Sequence, residues 1–331
     1  LWKIELRILF PTIIPFMSDL RYRLALSTCW CSHRHTDGYT MLAEMRELGF
    51  RRVELSHGIR LALVPGILQG VAEGLVTISS VHNFCPLPGS VTHAAPNLFQ
   101  PSTKRKSELA MWHLYSRQTI EFAKRVGAPH VVMHSGSVRF PFASPVAVLE
   151  SLAPPAAQRE KALARLRAKS RPGAPAMRRL IRAYDDLIPY AASHGVRLGA
   201  ENREGILELP LDENFPAFLD ALDDTSSEGF LLGDKRLHYW HDTGHARIKH
   251  LHGLLDHERH LAGVVDRLIG FHLHDVSEAG SDHQVPGSGS VDFAMVKKYI
   301  EPHHTLVLEP SPALTPEEIT RSRNYLLEVL G

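Results

Sequence analysis

Eight short runs rich in β-branched and apolar residues recur along the chain, with longer helical stretches between them. They are LALSTC (24–29), RRVELS (51–56), LVTISSVH (75–82), HVVMHSG (130–136), VRLGAEN (196–202), LHYWHD (237–242), IGFHLHD (269–275) and TLVLEP (305–310). The intervening stretches include YTMLAEMRELG, SELAMWHLYSRQTIEFAKRVG, MRRLIRAYDDLIPYAASHG and ENFPAFLDAL. Several of them end in Gly just before the next strand, where a helix needs a residue that tolerates left-handed backbone. Strands that alternate with helices must run parallel, and eight such units predict an α/β protein of the (β/α)8 barrel class. An open doubly wound sheet is the main rival. It is disfavoured because no GxGxxG follows the first strand.

The barrel is assigned to residues 22–331 as one domain, and residues 1–21 to an N-terminal extension. The first seventeen residues, LWKIELRILFPTIIPFM, are apolar but carry Lys3, Glu5 and Arg7 and two prolines. They are too short and too charged to span a bilayer, so no membrane partner is expected. Met17 is the expected natural start. The longest connection follows strand four, where 139–178 reads as an inserted loop and helix. Its basic run (Lys161, Arg165, Arg167, Lys169, Arg171) is expected to be an exposed helix, with a lid over the site as the functional alternative.

Lys plus Arg is 37 and Asp plus Glu is 36, so net charge does not announce a nucleic-acid surface. Three cysteines suit a reducing compartment rather than a disulfide framework, and a cytoplasmic location is expected. Cys29 and Cys31 are read as buried thiols.

Histidine is over-used, with 21 residues. In a barrel of this class, chemistry sits where strands end. Strand three ends in His82, strand four in His134 and strand five in Glu201. Strand six ends in Asp242 with His245 three residues on. Strand seven offers His272, His274 and Asp275, and strand eight ends in Glu309. Crowding these groups together without a cation would cost several kcal/mol in desolvation and repulsion. A divalent metal at this rim is therefore expected, and more than one is not excluded. Histidine-rich donor sets suit zinc, manganese, cobalt or iron better than magnesium. His238 and His241 are expected to be structural.

The motifs GAEN (199–202), HDTGHA (241–246), HLHD (272–275), DHQVPGSGSVDF (282–293) and VLEP (307–310) occur in this order on successive strands. Together they resemble the xylose-isomerase-like TIM barrels, which comprise sugar isomerases and epimerases and endonuclease IV-like enzymes. The resemblance implies Glu201, Asp242, His272 and Glu309 as metal ligands, with His274 the rival to His272. It implies Glu201 and Glu309 as the acid–base pair of an isomerase or epimerase, which moves a proton through an enediolate that the metal stabilises. The substrate would be a sugar, sugar phosphate or polyol relative. His245, His283 and His274 are candidate substrate contacts. Arg203 is a candidate for an anionic substituent, or equally a salt-bridge partner.

The endonuclease-like members imply additional metal ligands at His82, His134, His245 and His283. An acid that they carry two residues before the last of these is Ser281 here, with Asp282 one step off. Hydrolysis of abasic DNA is therefore the alternative activity, and nucleic acid a partner only under it. A non-catalytic binding protein is a third reading, and a homo-oligomer is left open.

Overall fold

The computed structural model describes residues 19–151, 154–223 and 235–331. The N-terminal extension, apart from its last residues, lies outside them. Each β-rich run supplies one strand: β1 Leu24–Ser27, β2 Arg52–Leu55, β3 Thr77–His82, β4 His130–Met133, β5 Arg197–Glu201, β6 His238–Asp242, β7 Leu268–Leu273 and β8 Thr305–Leu308. Each pairs in parallel with the next, and β8 closes on β1 with Leu24 opposite Leu306. The result is the expected closed (β/α)8 barrel. The strands are shorter than the sequence runs, because the runs continue into the loops that carry the chemistry.

Helices cover the outside: α1 Leu20–Arg23, α2 Gly38–Glu47, α3 Val64–Ala72, α4 Lys106–Val126, α5 Val146–Leu149, α6 Ala156–Ser170, α7 Pro175–Ser193, α8 Phe215–Asp220, α9 Thr243–Leu251, α10 His257–Val264, α11 Phe293–Lys297 and α12 Pro316–Leu330. In α7, Leu180, Ala183, Tyr184, Leu187, Ile188 and Ala191 recur at three- and four-residue spacing, and all are buried. Such a stripe is what docks a helix on a sheet. Among the described residues no helix is long and apolar enough to cross a membrane.

The insertion carries α5 and α6. Its basic run lies on an exposed to half-exposed helix face, as expected, and some cations of the insertion also hold neighbouring segments. Arg159 donates to the His252 and Gly253 carbonyls, Arg165 to Ala143 O at 2.6 Å, and Lys169 to Arg139 O at 2.6 Å. Arg167 pairs with Glu213 at 2.8 Å.

Side chains alternate across each strand, and this divides the barrel interior into layers. Ala25, Val132, Trp240 and Val307 meet in an apolar layer separate from the main outer core. Trp240 fills the centre because its neighbours have no side chain. A Cβ on Gly270 would lie 2.3 Å from the indole, and one on Gly199 would lie 3.3 Å away. Two residues further along each strand, the same inward face presents Ser27, Glu201, Asp242, His272 and Glu309. Trp240 is thus the dry floor under a polar mouth.

The outward face of β6 is different. Tyr239 and His241 turn toward α10, where the Tyr239 hydroxyl meets His241 Nδ1 at 2.9 Å and His260 Nε2 at 2.8 Å. His241 Nε2 meets His257 Nε2 at 2.9 Å. His241 is therefore a structural residue, in a buried polar network behind the site.

Candidate metal centre

The HDTGH turn is built from one residue with two uses. Asp242 ends β6 and also caps α9, its Oδ1 accepting the His245 N–H at 2.7 Å. Helix α9 therefore starts at the rim and carries His245 back over the mouth. Gly244 is required by crowding: a Cβ there would lie 2.0 Å from His274 Cε1.

Donor atoms of Glu201, Asp242, His272 and Glu309 all lie within 4.8 Å of one another. These residues are at most 5% exposed. His272 Nδ1 lies 2.8 Å from Glu201 Oε1, 3.1 Å from Glu309 Oε2 and 3.9 Å from Asp242 Oδ2. Its other nitrogen, Nε2, lies 3.1 Å from both oxygens of Glu54. Glu54 is wholly buried and also accepts from Ser27 Oγ at 3.0 Å and Ser80 Oγ at 2.7 Å.

The mouth thus gathers four buried carboxylates: Glu54, Glu201, Asp242 and Glu309. The permanent cation beside them is Arg203, and it is shared. Its guanidinium lies 3.1 Å from Glu201 Oε2, 2.9 Å from Glu204 and 3.5 Å from Glu208. The surplus of negative charge shows in His272. Burial opposes charging that ring, yet Glu309, Glu54 and Glu201 outweigh burial and hold its pKa well above the ordinary imidazole range.

The remaining histidines have their protons assigned by their outer partners. A carbonyl oxygen only accepts, so a ring nitrogen beside it carries the hydrogen. His82 Nδ1 lies 3.1 Å from Asn83 O, His245 Nδ1 3.0 Å from Asn202 O, and His283 Nδ1 2.9 Å from Glu309 O. His134 Nδ1 lies 3.1 Å from Asn97 Oδ1, while Asn97 Nδ2 donates to Glu208 at 3.3 Å. His82, His134 and His283 therefore offer an unprotonated Nε2, whereas His245 also has Arg203 at its Nδ1 at 3.4 Å and Glu204 Oε2 at its Nε2 at 3.2 Å. His134 Nε2 faces Glu201 Oε2 at 2.9 Å, and His82 Nε2 faces it at 3.6 Å. Burial, and then Arg203, push His134 down to about 4, so it stays neutral. A lone pair aimed at a carboxylate in a buried site is satisfied only by a cation or proton between them. His134 Nε2 has no hydrogen-bond partner. Outer-partner orientation of this kind is how proteins prepare imidazoles for metals.

His274 behaves differently. Its Nδ1 accepts the His283 N–H at 2.9 Å, so its proton sits on Nε2, 3.0 Å from Asp242. His245, His274 and His283 are close enough to form a donor trio, but both nitrogens of His274 are already engaged. His272, not His274, turns its Nδ1 to both Glu201 and Glu309. His283 is held in left-handed backbone (φ 51°), which is uncommon for a residue with a side chain. Asp282 is half-exposed, with its carboxylate 3.8 Å from His283 Nε2, and it joins no compact donor group. Arg203 is placed among three carboxylates rather than free for a substrate anion.

Two participants escaped the sequence reading. Glu54 is one. Its signal was a carboxylate flanked by Val53 and Leu55 in a strand with apolar residues on its outward face. The other is His57, just past β2, whose ring packs edge-on against His82 at 4.8 Å and which can join His82 and Glu309 as a donor group.

The fold has close counterparts of known structure. A D-tagatose 3-epimerase-like protein superposes with a TM-score of 0.64 at 16% identity, over 93% of this chain and 97% of that one. An L-ribulose 3-epimerase gives 0.63 at 15%, over 93% and 94%. D-psicose 3-epimerase from Clostridium cellulolyticum, solved with D-tagatose, gives 0.61 at 10%, over 93% and 98%. At these identities the likeness is one of fold. No curated protein matches the sequence significantly. A family profile described as xylose isomerase-like TIM barrel matches residues 42–325, and the chain belongs to that family.

Proposed function

We propose that the protein is a divalent-metal-dependent isomerase or epimerase of a small hydroxy-carbonyl compound, a sugar or a sugar phosphate or polyol. One observation carries this reading. Glu201 and Glu309 reach from β5 and β8 to the same nitrogen of His272, in a mouth where buried carboxylates outnumber cations. Glu201, Asp242, His272 and Glu309 would hold the ion, and the imidazole-rich surroundings suit zinc, manganese, cobalt or iron. A bound ion supplies Lewis acidity toward neighbouring carbonyl and hydroxyl oxygens.

The chain's own groups do the rest. One glutamate removes the proton on the carbon beside the carbonyl, and the other returns it. Arg203 fixes the Glu201 carboxylate through Oε2 and leaves Oε1 facing the mouth. His283 presents an unprotonated Nε2 that accepts from a substrate hydroxyl, and His245 adds a second imidazole beside it. Trp240 and the apolar layer keep water from below. The proteins of like fold are named for ketose epimerisation, so ketoses are the first substrates to test.

A second reading, hydrolysis of a phosphodiester by two or three ions, is favoured by the Nε2 atoms of His82 and His134 facing Glu201 Oε2. Arg203 opposes it, since its guanidinium already places positive charge on that oxygen. Elemental analysis of the purified protein, with ketose turnover in D2O, decides between them. The expected result is one tightly held ion per chain. Deuterium should enter beside the carbonyl, and Glu201→Gln and Glu309→Gln should each abolish exchange. Two or three ions per chain, with incision of abasic DNA and no exchange on any ketose, would overturn the proposal.

A further inference from the structure

The loops after β3 and β4, the end of α6 and the start of α7 enclose a cavity of about 500 Å³ that contains none of the mouth's donor residues. Its lining includes Lys104, Arg105, Arg139, Lys169 and Arg179, and no carboxylate. These cations come from separate segments, so the fold, not a charge run, brings them together. Arg105 is neutralised by Glu108 at 2.6 Å. Among the described residues, the other four have no carboxylate at ion-pair distance.

Lys169 is fixed by the Arg139 carbonyl at 2.6 Å and by the Phe140 ring, 4.2 Å below its ammonium. Arg179 is fixed through Nε, which donates to Ser102 O at 2.8 Å. It is partly buried, and burial, then Arg182 and Arg178, lower its pKa. Among the described residues Lys104 and Arg139 make no side-chain hydrogen bond, and both are exposed. Two anchored and two unanchored cations therefore surround one concavity, with Val138, Pro141 and Ala168 as its apolar wall. Like charges gathered beside low-dielectric walls repel one another and focus a positive potential into the cleft. An anion removes that repulsion. The volume is that of a small-molecule site.

We propose that this cavity binds a phosphate-bearing small molecule. Its phosphate is gripped by Lys104, Arg139, Lys169 and Arg179, and its uncharged part rests on Val138, Pro141 and Ala168. The site is separate from the mouth and does not depend on the reaction performed there.

Calorimetric titration of the metal-loaded protein with fructose 6-phosphate, ADP and inorganic phosphate, alongside fructose and adenosine, tests the assignment. At least one organic phosphate should bind saturably, more tightly than inorganic phosphate, and its unphosphorylated counterpart should not. The double variant Lys104→Gln/Arg139→Gln removes two cations that hold nothing else in place. It should weaken binding by about tenfold or more, with ion content and melting temperature unchanged. Three results would overturn the proposal. No phosphate compound binds in the millimolar range; or binding ignores the double variant and disappears on chelation, which places the anion at the mouth; or a single-stranded oligonucleotide binds more tightly than ADP and is lost in the double variant, which makes the cavity part of a polymer surface.

Discussion

Glu54→Gln isolates the most consequential contact behind the proposed ion. Both Glu54 oxygens sit 3.1 Å from His272 Nε2, and the carboxylate also accepts from Ser27 and Ser80. When Nε2 carries the hydrogen, Nδ1 keeps its lone pair toward Glu201 and Glu309. Gln preserves volume but brings an NH2 group among donors. One amide oxygen must then serve three claimants: two hydroxyls and the imidazole. The ring either loses its acceptor or shifts its proton to Nδ1, where it can no longer be a ligand. Outer partners of metal-bound histidines are worth about 10–100-fold in affinity, or roughly 1.4–2.7 kcal/mol. The assay is competition for Mn²⁺ or Co²⁺ against a fluorescent chelator, run beside Ser80→Ala. The serine variant removes one hydroxyl and leaves the charge, so its effect should be smaller. Glu54→Gln should lower the melting temperature of the loaded protein more than that of the chelated protein, because the chelated state also sheds a repelling charge. Unchanged ion affinity in a folded Glu54→Gln protein would refute this account of how His272 is held.

Two further outcomes follow from geometry and burial. Gly244→Ala places a Cβ 2.0 Å from the His274 ring, so His274 must leave Asp242 at a cost of about 1–3 kcal/mol; urea melts should show that loss, and an unperturbed melt with full ion content would contradict it. His130 and His257 are each pushed down to about 3, by burial first and then by Arg197 and His260 respectively. Because their folded pKa values lie below the unfolded value near 6.5, their contribution is complete above that pH and is lost as pH falls toward 3, by about 1.4 kcal/mol per unit for each ring. His130→Gln should flatten the slope of unfolding free energy between pH 6 and 4 by about that amount, and an unchanged slope would contradict the assignment.

Strand order and number were legible because parallel barrel strands are buried on both faces and their helices are capped by Gly or by acids such as Asp242. The convergence of these side chains at the mouth was legible for the same reason. A charged or imidazole residue at the end of an apolar run has nowhere to go but the mouth. What the sequence hid was partnership. HLHD contains two histidines on one strand face, and spacing alone does not choose between them. The proposal of His272 rests on contacts that spacing does not show: the His283 N–H reaches back nine residues to His274 Nδ1, and Glu54, 218 residues away, lies beside His272 Nε2. Arg203 was balanced between two roles for a similar reason. Glu204 and Glu208 are near in sequence, but only the fold shows that Glu201 turns the same way. The basic run of the insertion does lie on an exposed or half-exposed helix face; what spacing does not show is that Arg165 and Lys169 also reach carbonyls of the preceding loop.

Arg203 also bears on how many ions the mouth can take. Glu201 has two oxygens in two environments. Oε1 faces His272, and Oε2 faces His82, His134 and the guanidinium. An ion held on the first side would have Asp242, His272 and Glu309 as further donors. An ion held on the second side would have His82 and His134 as donors but would lie near the buried Arg203 guanidinium, 3.1 Å from Glu201 Oε2, where repulsion in a water-poor site is worth on the order of several kcal/mol. Displacing Arg203 would in turn leave Glu204 and Glu208 without their shared partner. Under the proposed function the first side would therefore fill before the second, and the fate of this one arginine would separate single-ion proton transfer from multi-ion hydrolysis on the same set of strand ends.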